Sequence, residues 1–110
     1  MILWFRNDLR LHDNPVIDWA TNYIDNSENT IEVLPVYCFD PRIYSKASET
    51  RFETRRIGIV RSWFMIESIK YLREELEKID SMLVIGDEEP ETFIPKLLSL
   101  DENTHNIIVY

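Results

Sequence analysis

The chain has 110 residues, 45% of them hydrophobic, and its 12 basic and 20 acidic residues leave a net charge of −8. That length suits one domain, and the apolar content argues for a folded core rather than a disordered chain. The acidic surplus would repel a phosphate backbone, so any DNA-binding surface is expected elsewhere. One cysteine, Cys38, excludes an internal disulfide and a cysteine-rich metal site and fits a reducing compartment.

Strand and helix signals alternate from the first residues. Ile2 to Phe5 is a short continuous apolar run, the pattern of a buried parallel strand. It follows Met1 directly, so no signal or transit peptide is expected. A polar loop leads to Asn14, a helix N-cap, with Pro15 at the first helical position. Val16, Trp19, Ala20, Tyr23 and Ile24 then recur at helical spacing on one face, and the cluster from Asp25 to Asn29 closes that helix.

Ile31 to Phe39 reads as a second strand, with an irregularity expected at Pro35. Asp40-Pro41 opens a polar stretch to about Arg56. The longest helix follows, from Ile57 to Ile79. Met65, Ile69, Leu72, Leu76 and Ile79 form its apolar stripe, which Val60, Trp63, Phe64 and Ile66 widen. So wide a face predicts burial against a sheet and a further layer. Met82 to Ile85, closed by Gly86, is a third strand. Pro90 opens a helix through Leu100 that Pro95 is expected to interrupt or restart. Asn106 to Tyr110 is a fourth strand. No apolar stretch approaches the roughly 20 residues a membrane-spanning helix needs, so a soluble intracellular protein is expected.

The order β-α-β-α-β-α-β predicts an α/β fold, a Rossmann-like doubly wound parallel sheet with flanking helices over residues 1–110. Ending on an apolar strand, the chain reads as truncated after the fourth strand.

Ligands of such sheets bind beyond the carboxyl ends of the strands. The loops concerned are Asn7 to Asn14, Asp40 onward and Gly86 to Glu89; the next would begin past Tyr110. In the first, alternating Arg and Asp near a helix N-terminus suit a polar or anionic ligand. Equally, Asp8, Arg10 and Asp13 suit pairing with one another and capping of backbone groups. With two glycines in the chain, neither G-x-G-x-x-G nor a P-loop occurs. His12 and His105 stand alone, as surface or structural residues do. Cys38 lies in an apolar strand, where an inert buried thiol is expected. Trp4, Trp19 and Trp63 fall on core positions. The acidic run Asp87-Glu88-Glu89 with Glu91 suits a helix N-terminus. No catalytic set and no metal ligands emerge.

Residues 4 to 14, Trp-Phe-Arg-Asn-Asp-Leu-Arg-Leu-His-Asp-Asn, resemble the W-F-R-x-D-L-R-x-x-D-N opening of the photolyase/cryptochrome family. The segment Leu34-Pro35-Val36-Tyr37-Cys38-Phe39-Asp40-Pro41-Arg42 is similar to the second strand of DASH-type cryptochromes. Gly58, Arg61, Phe64-Met65, Glu67-Ser68 and Leu72-Arg73 resemble their G-x-x-R-x-x-F-L-x-E-S…L-R helix. The segment leading into it departs: Phe52 to Gly58 keeps the first Phe, a base and the Gly of F-G-F-P-K-T-G.

The resemblance implies an antenna module. In such proteins FAD sits in a C-terminal helical domain, which also binds damaged DNA. A methenyltetrahydrofolate or deazaflavin chromophore lies in a cleft between the domains and passes energy to reduced FAD, which donates an electron to a pyrimidine dimer. By motif position, Asp8, Arg10, Phe39, Asp40 and Arg61 are the chromophore-pocket or interdomain candidates, with Arg61 equally suited to a structural role at a helix start. The family's folate-contacting glutamate would lie in the loop after the fourth strand. This chain alone is therefore expected to hold no cofactor and to show no repair activity, its partner being the FAD-binding domain. DNA would be met only through that domain, in cytoplasm or nucleus, with no membrane involved. Two other readings are a stand-alone nucleotide-binding module and a non-catalytic interaction fragment. Without a partner domain, Trp63, Phe64 and Met65 would be exposed and the chain prone to aggregate.

Overall fold

The computed structural model describes residues 1–44 and 58–100, together with the backbone of 107–109. Its elements are β1 (Ile2–Phe5), α1 (Pro15–Asp25), β2 (Leu34–Cys38), the single turn α2 (Pro41–Tyr44), α3 (Ile59–Glu77), β3 (Val84–Gly86), α4 (Pro90–Leu100) and β4 (Ile107–Val109). The expected helix start at Ile57, the segment from Ser45 to Arg56, His105 and the outer residues of the fourth strand lie outside the described residues.

The four strands form one sheet in the order β3-β2-β1-β4, every pairing parallel. This is the doubly wound arrangement expected from the sequence. Chain progress from β1 through β2 to β3 runs one way across the sheet, and β4 returns to the far side of β1. Right-handed crossovers then put α1 and α3 on one face and α4 on the other.

The core divides accordingly. On one face Leu3, Phe5 and Tyr37 pack with Ala20 of α1 and with Ile69, Leu72 and Leu76 of α3. On the other, Ile2, Val36 and Cys38 pack with Phe93, Leu97 and Leu98 of α4. Alternate residues of each strand serve opposite faces, which explains why β1 and β2 read as unbroken apolar runs. Leu72 has no exposed surface, and full burial of a leucine contributes about 1.5–3 kcal/mol.

Local signals set the helix ends. The Asn14 side chain accepts the Val16 N–H at 3.0 Å and donates to the Arg10 carbonyl at 2.9 Å, so it caps α1 while buried. Asp13, just before it, has φ 53°, a left-handed conformation that aspartate tolerates. Pro35 joins β2 without a break: Leu34 to Tyr37 pair with β1 in register, and β3 pairs only from Val36 onward. The missing N–H thus falls where β2 has β1 as its sole partner strand. Pro95 likewise fails to break α4. Burial of Ile94 and packing of Phe93, Leu97 and Leu98 on the sheet hold the helix through the lost hydrogen bond.

Two expectations about the core are corrected. Trp19 is 50% and Trp63 63% exposed. Trp19 stacks on Tyr23 along the outer side of α1, ring centroids 5.2 Å apart. The stripe of α3 is buried at Ile69, Leu72 and Leu76, but Ile79, Val60, Phe64 and Ile66 are exposed, and Met65 packs at the edge of the core. The start of α3 thus carries a second apolar face, turned away from the side on which Met65, Ile69, Leu72 and Leu76 meet the core.

Candidate functional site

Strands β1 and β2 end side by side, and their carboxyl ends open into a cleft of about 510 Å3. Trp4 and Arg6 reach it from the end of β1, Tyr37 and Asp40 from the end of β2, and Arg42, Ile43 and Tyr44 from α2. Arg61, Phe64 and Met65 line it from α3, and Pro90 and Glu91 from the start of α4. This is the edge at which open α/β sheets hold ligands.

The strongest polar feature is centred on Arg42. The Asp40 carboxylate accepts from the Arg42 backbone N–H and Nε at 2.9 Å, and from Nη2. The same Nη2 donates to both oxygens of Glu91, at 3.2 and 3.0 Å. Asp40 is buried. The Arg42 guanidinium, opposing the cost of burial, holds its carboxyl below the usual range. Glu91 is also held low, first by a backbone N–H of the α4 start and then by Arg42. Lys96 and Glu88 pair nearby at 2.6 Å.

An aromatic group forms the next part of the wall. The Tyr37 and Tyr44 hydroxyls are hydrogen-bonded at 3.0 Å. Phe39 meets both rings edge-on, with centroids 5.1 and 5.4 Å away. Burial, reinforced by the Tyr44 hydroxyl, pushes the Tyr37 phenol far above its ordinary value, so it stays protonated. On the other side of the opening, Arg6 lies over the Trp4 ring, 5.8 Å from its centroid. No ion pair joins Arg6 or Arg61 to another described side chain. Cys38 also borders the cleft, and burial pushes its thiol up to about 11.

The five candidate residues separate. Asp40 and Arg61 line the cleft. Phe39 packs between the two tyrosines and the core. Asp8 and Arg10 pair with each other in the first loop: Nε and Nη2 of Arg10 donate to Asp8 at 2.9 and 2.8 Å, and its backbone N–H at 3.2 Å. The arginine holds the Asp8 carboxyl low. Asp8 borders a small hollow between β1 and α1 rather than the cleft. Sequence reasoning missed Arg6, Arg42, Tyr44 and Glu91. Arg6 and Arg42 stood within the quoted motifs, whereas nothing local links Glu91 to a residue 49 positions away. Among the described residues no three His, Cys, Asp or Glu side chains could jointly hold a metal ion, and no helix is long and apolar enough to cross a membrane.

The sheet order and the cleft at its carboxyl edge define a doubly wound α/β domain with an open ligand-type site at that edge. Residues 1–106 match the DNA photolyase family. The chain is 42% identical over 96 residues to the blue-light photoreceptor PHR2 of Arabidopsis thaliana, covering 87% of this chain and 20% of that protein. It is 38% identical over 98 residues to cryptochrome DASH of Danio rerio, covering 89% and 17%, and 35% identical over 99 residues to cryptochrome DASH of Gloeobacter violaceus, covering 90% and 18%. The chain belongs to the DNA photolyase family. It spans about a fifth of the length of these relatives.

Proposed function

We propose that this chain is the light-harvesting α/β domain of a DASH-type cryptochrome or photolyase, and that its carboxyl-edge cleft takes an antenna chromophore. The observation that carries this reading is the composition of the cleft. Trp4, Tyr37 and Phe64 offer aromatic surface, while Arg6 and Arg61 offer guanidiniums that form no ion pair with another described side chain. A conjugated ring bearing an acidic group, such as methenyltetrahydrofolate or a deazaflavin, fits that set. When bound, the chromophore would supply absorption of blue light. The chain's own part is to hold the ring against aromatic side chains, away from water, and to anchor its acidic end.

FAD, the damaged DNA and the repair of cyclobutane pyrimidine dimers belong on this reading to a helical partner domain. The exposed apolar start of α3 (Ile59, Val60, Trp63 and Phe64) is the surface that domain would cover. The same exposure favours a second reading, an interaction fragment whose cleft stays empty.

Titration with methenyltetrahydrofolate and with a deazaflavin, followed by visible absorption and fluorescence, tests the proposal. Saturable binding that Trp4→Ala and Arg61→Met each weaken about tenfold supports it. Saturable binding untouched by both substitutions would move the chromophore out of this cleft, and absence of binding by either compound would favour the interaction reading.

A further inference from the structure

Among the described residues three arginines line the cleft, and of these Arg42 is the one tied between elements. Its backbone N–H and guanidinium are held by Asp40 at the end of β2, and its Nη2 reaches Glu91 in the first turn of α4. Glu89 stands 4.0 Å from Nη1. One guanidinium thus connects the loop after β2 with the loop after β3. The two loops are already in step at their base, where the Phe39 N–H donates to the Gly86 carbonyl at 2.7 Å. Beyond that bond the chains diverge, one into α2 and the other into α4, and in the described residues the Arg42 cluster is the polar contact that spans them.

We propose that Arg42 is the positioning residue of the cleft, a strut that fixes α2 against α4 and so sets the width of the aromatic wall. A bidentate fork suits this task, because two donors in a fixed plane define an orientation as well as a distance. With its donors engaged by Asp40 and Glu91, Arg42 acts on a ligand through the wall, leaving direct contact with an acidic group to Arg6 and Arg61. The bearing on chromophore affinity rests on the function proposed above; the coupling of the two loops does not.

The test compares wild type, Arg42→Met, Glu91→Ala, the double variant and Arg73→Gln, a charge change on the far half of α3. Amide hydrogen exchange needs no ligand. Arg42→Met should quicken exchange in residues 86–92 and Glu91→Ala in residues 39–44, each about fivefold, with the double variant no faster than Arg42→Met. Arg73→Gln should change neither segment. In the chromophore titration, both single variants and the double variant should weaken binding to a similar degree, since each opens the same wall. Exchange confined to the substituted loop, or rates that multiply in the double variant, would overturn the strut. Affinity lost with Arg42→Met but kept with Glu91→Ala would make Arg42 a direct contact instead. If no chromophore binds while the exchange remains reciprocal, the functional reading fails and the strut stands.

Discussion

The ring of Phe93 lies directly against the α-carbon of Gly86: a Cβ built there would stand 2.6 Å from two ring carbons. Gly86 ends β3, pairs with Cys38 and gives its carbonyl to Phe39, so its backbone has little freedom to retreat. Gly86→Ala should therefore destabilise the fold by about 1–3 kcal/mol through overpacking. Phe93→Leu in the same chain should recover part of that loss. Denaturant melts of the two single variants and the double variant measure the coupling, and simple additivity would contradict the contact.

Acid should act through Asp40. Its folded carboxyl is held low by Arg42, so the stabilisation is complete above the ordinary carboxylate value near 4 and is lost as pH falls through the depressed value. Asp8 and Glu91 shift in the same direction. Asp40→Asn should lower the melting midpoint by roughly 5 °C at pH 7. The gap from wild type should close as the pH is taken below about 4. A gap that stayed constant with pH would mean the loss is one of packing.

The Cys38 thiol has the opposite sensitivity. Its folded value, about 11, lies above the ordinary 9.0, so the folded state keeps a proton that the unfolded state releases, and stability should fall as pH rises from 9 towards 11. A thiol reagent at pH 8 should react with the native protein slowly, at the rate of opening, and at once in denaturant. Rapid stoichiometric labelling of the native protein would contradict the burial.

Helix α3 should divide by face. Leu72→Ala, at a fully buried site, should cost about 2–5 kcal/mol. Trp63→Ser and Phe64→Ser, at sites 63% and 70% exposed, should change stability by less than about 0.5 kcal/mol. They should instead reduce hydrophobic-dye binding and self-association, read by fluorescence and sedimentation. Equal stability losses on both faces would show that a second layer already covers the exposed one.

Much of this architecture was legible in the sequence because the signals were local. Asn14-Pro15 marks the start of α1, and continuous apolar runs mark strands that are buried on both faces. Helix α2 was not legible, since a single turn from Pro41 to Tyr44 has no periodicity to read. The exposure of Trp63 was not legible because the start of α3 carries a second apolar face: residues 59, 60, 63, 64 and 66 share one side, opposite the stripe of Met65, Ile69, Leu72 and Leu76. Apolar pattern alone cannot tell which of the two faces is core, and the position of the sheet decides it. In the site, Asp40 and Arg61 could be placed from their motifs. The tie from Arg42 to Glu91 depends on β2 and β3 lying side by side, a tertiary fact that no window of sequence contains.

The pairing of β1 with β4 bears on how the chain is made. Ile2 stands opposite Ile107 and Trp4 opposite Val109, so the first of these four strands meets its second neighbour only after about a hundred further residues. On the ribosome, β1 can recruit β2 early, but its other edge stays bare until β4 emerges. That interval is when an apolar strand with unpaired N–H and C=O groups is most open to capture by another nascent chain. The yield of native protein should therefore depend on how quickly the β4 segment is delivered, through elongation rate or chaperone shielding, as much as on the stability of the finished fold.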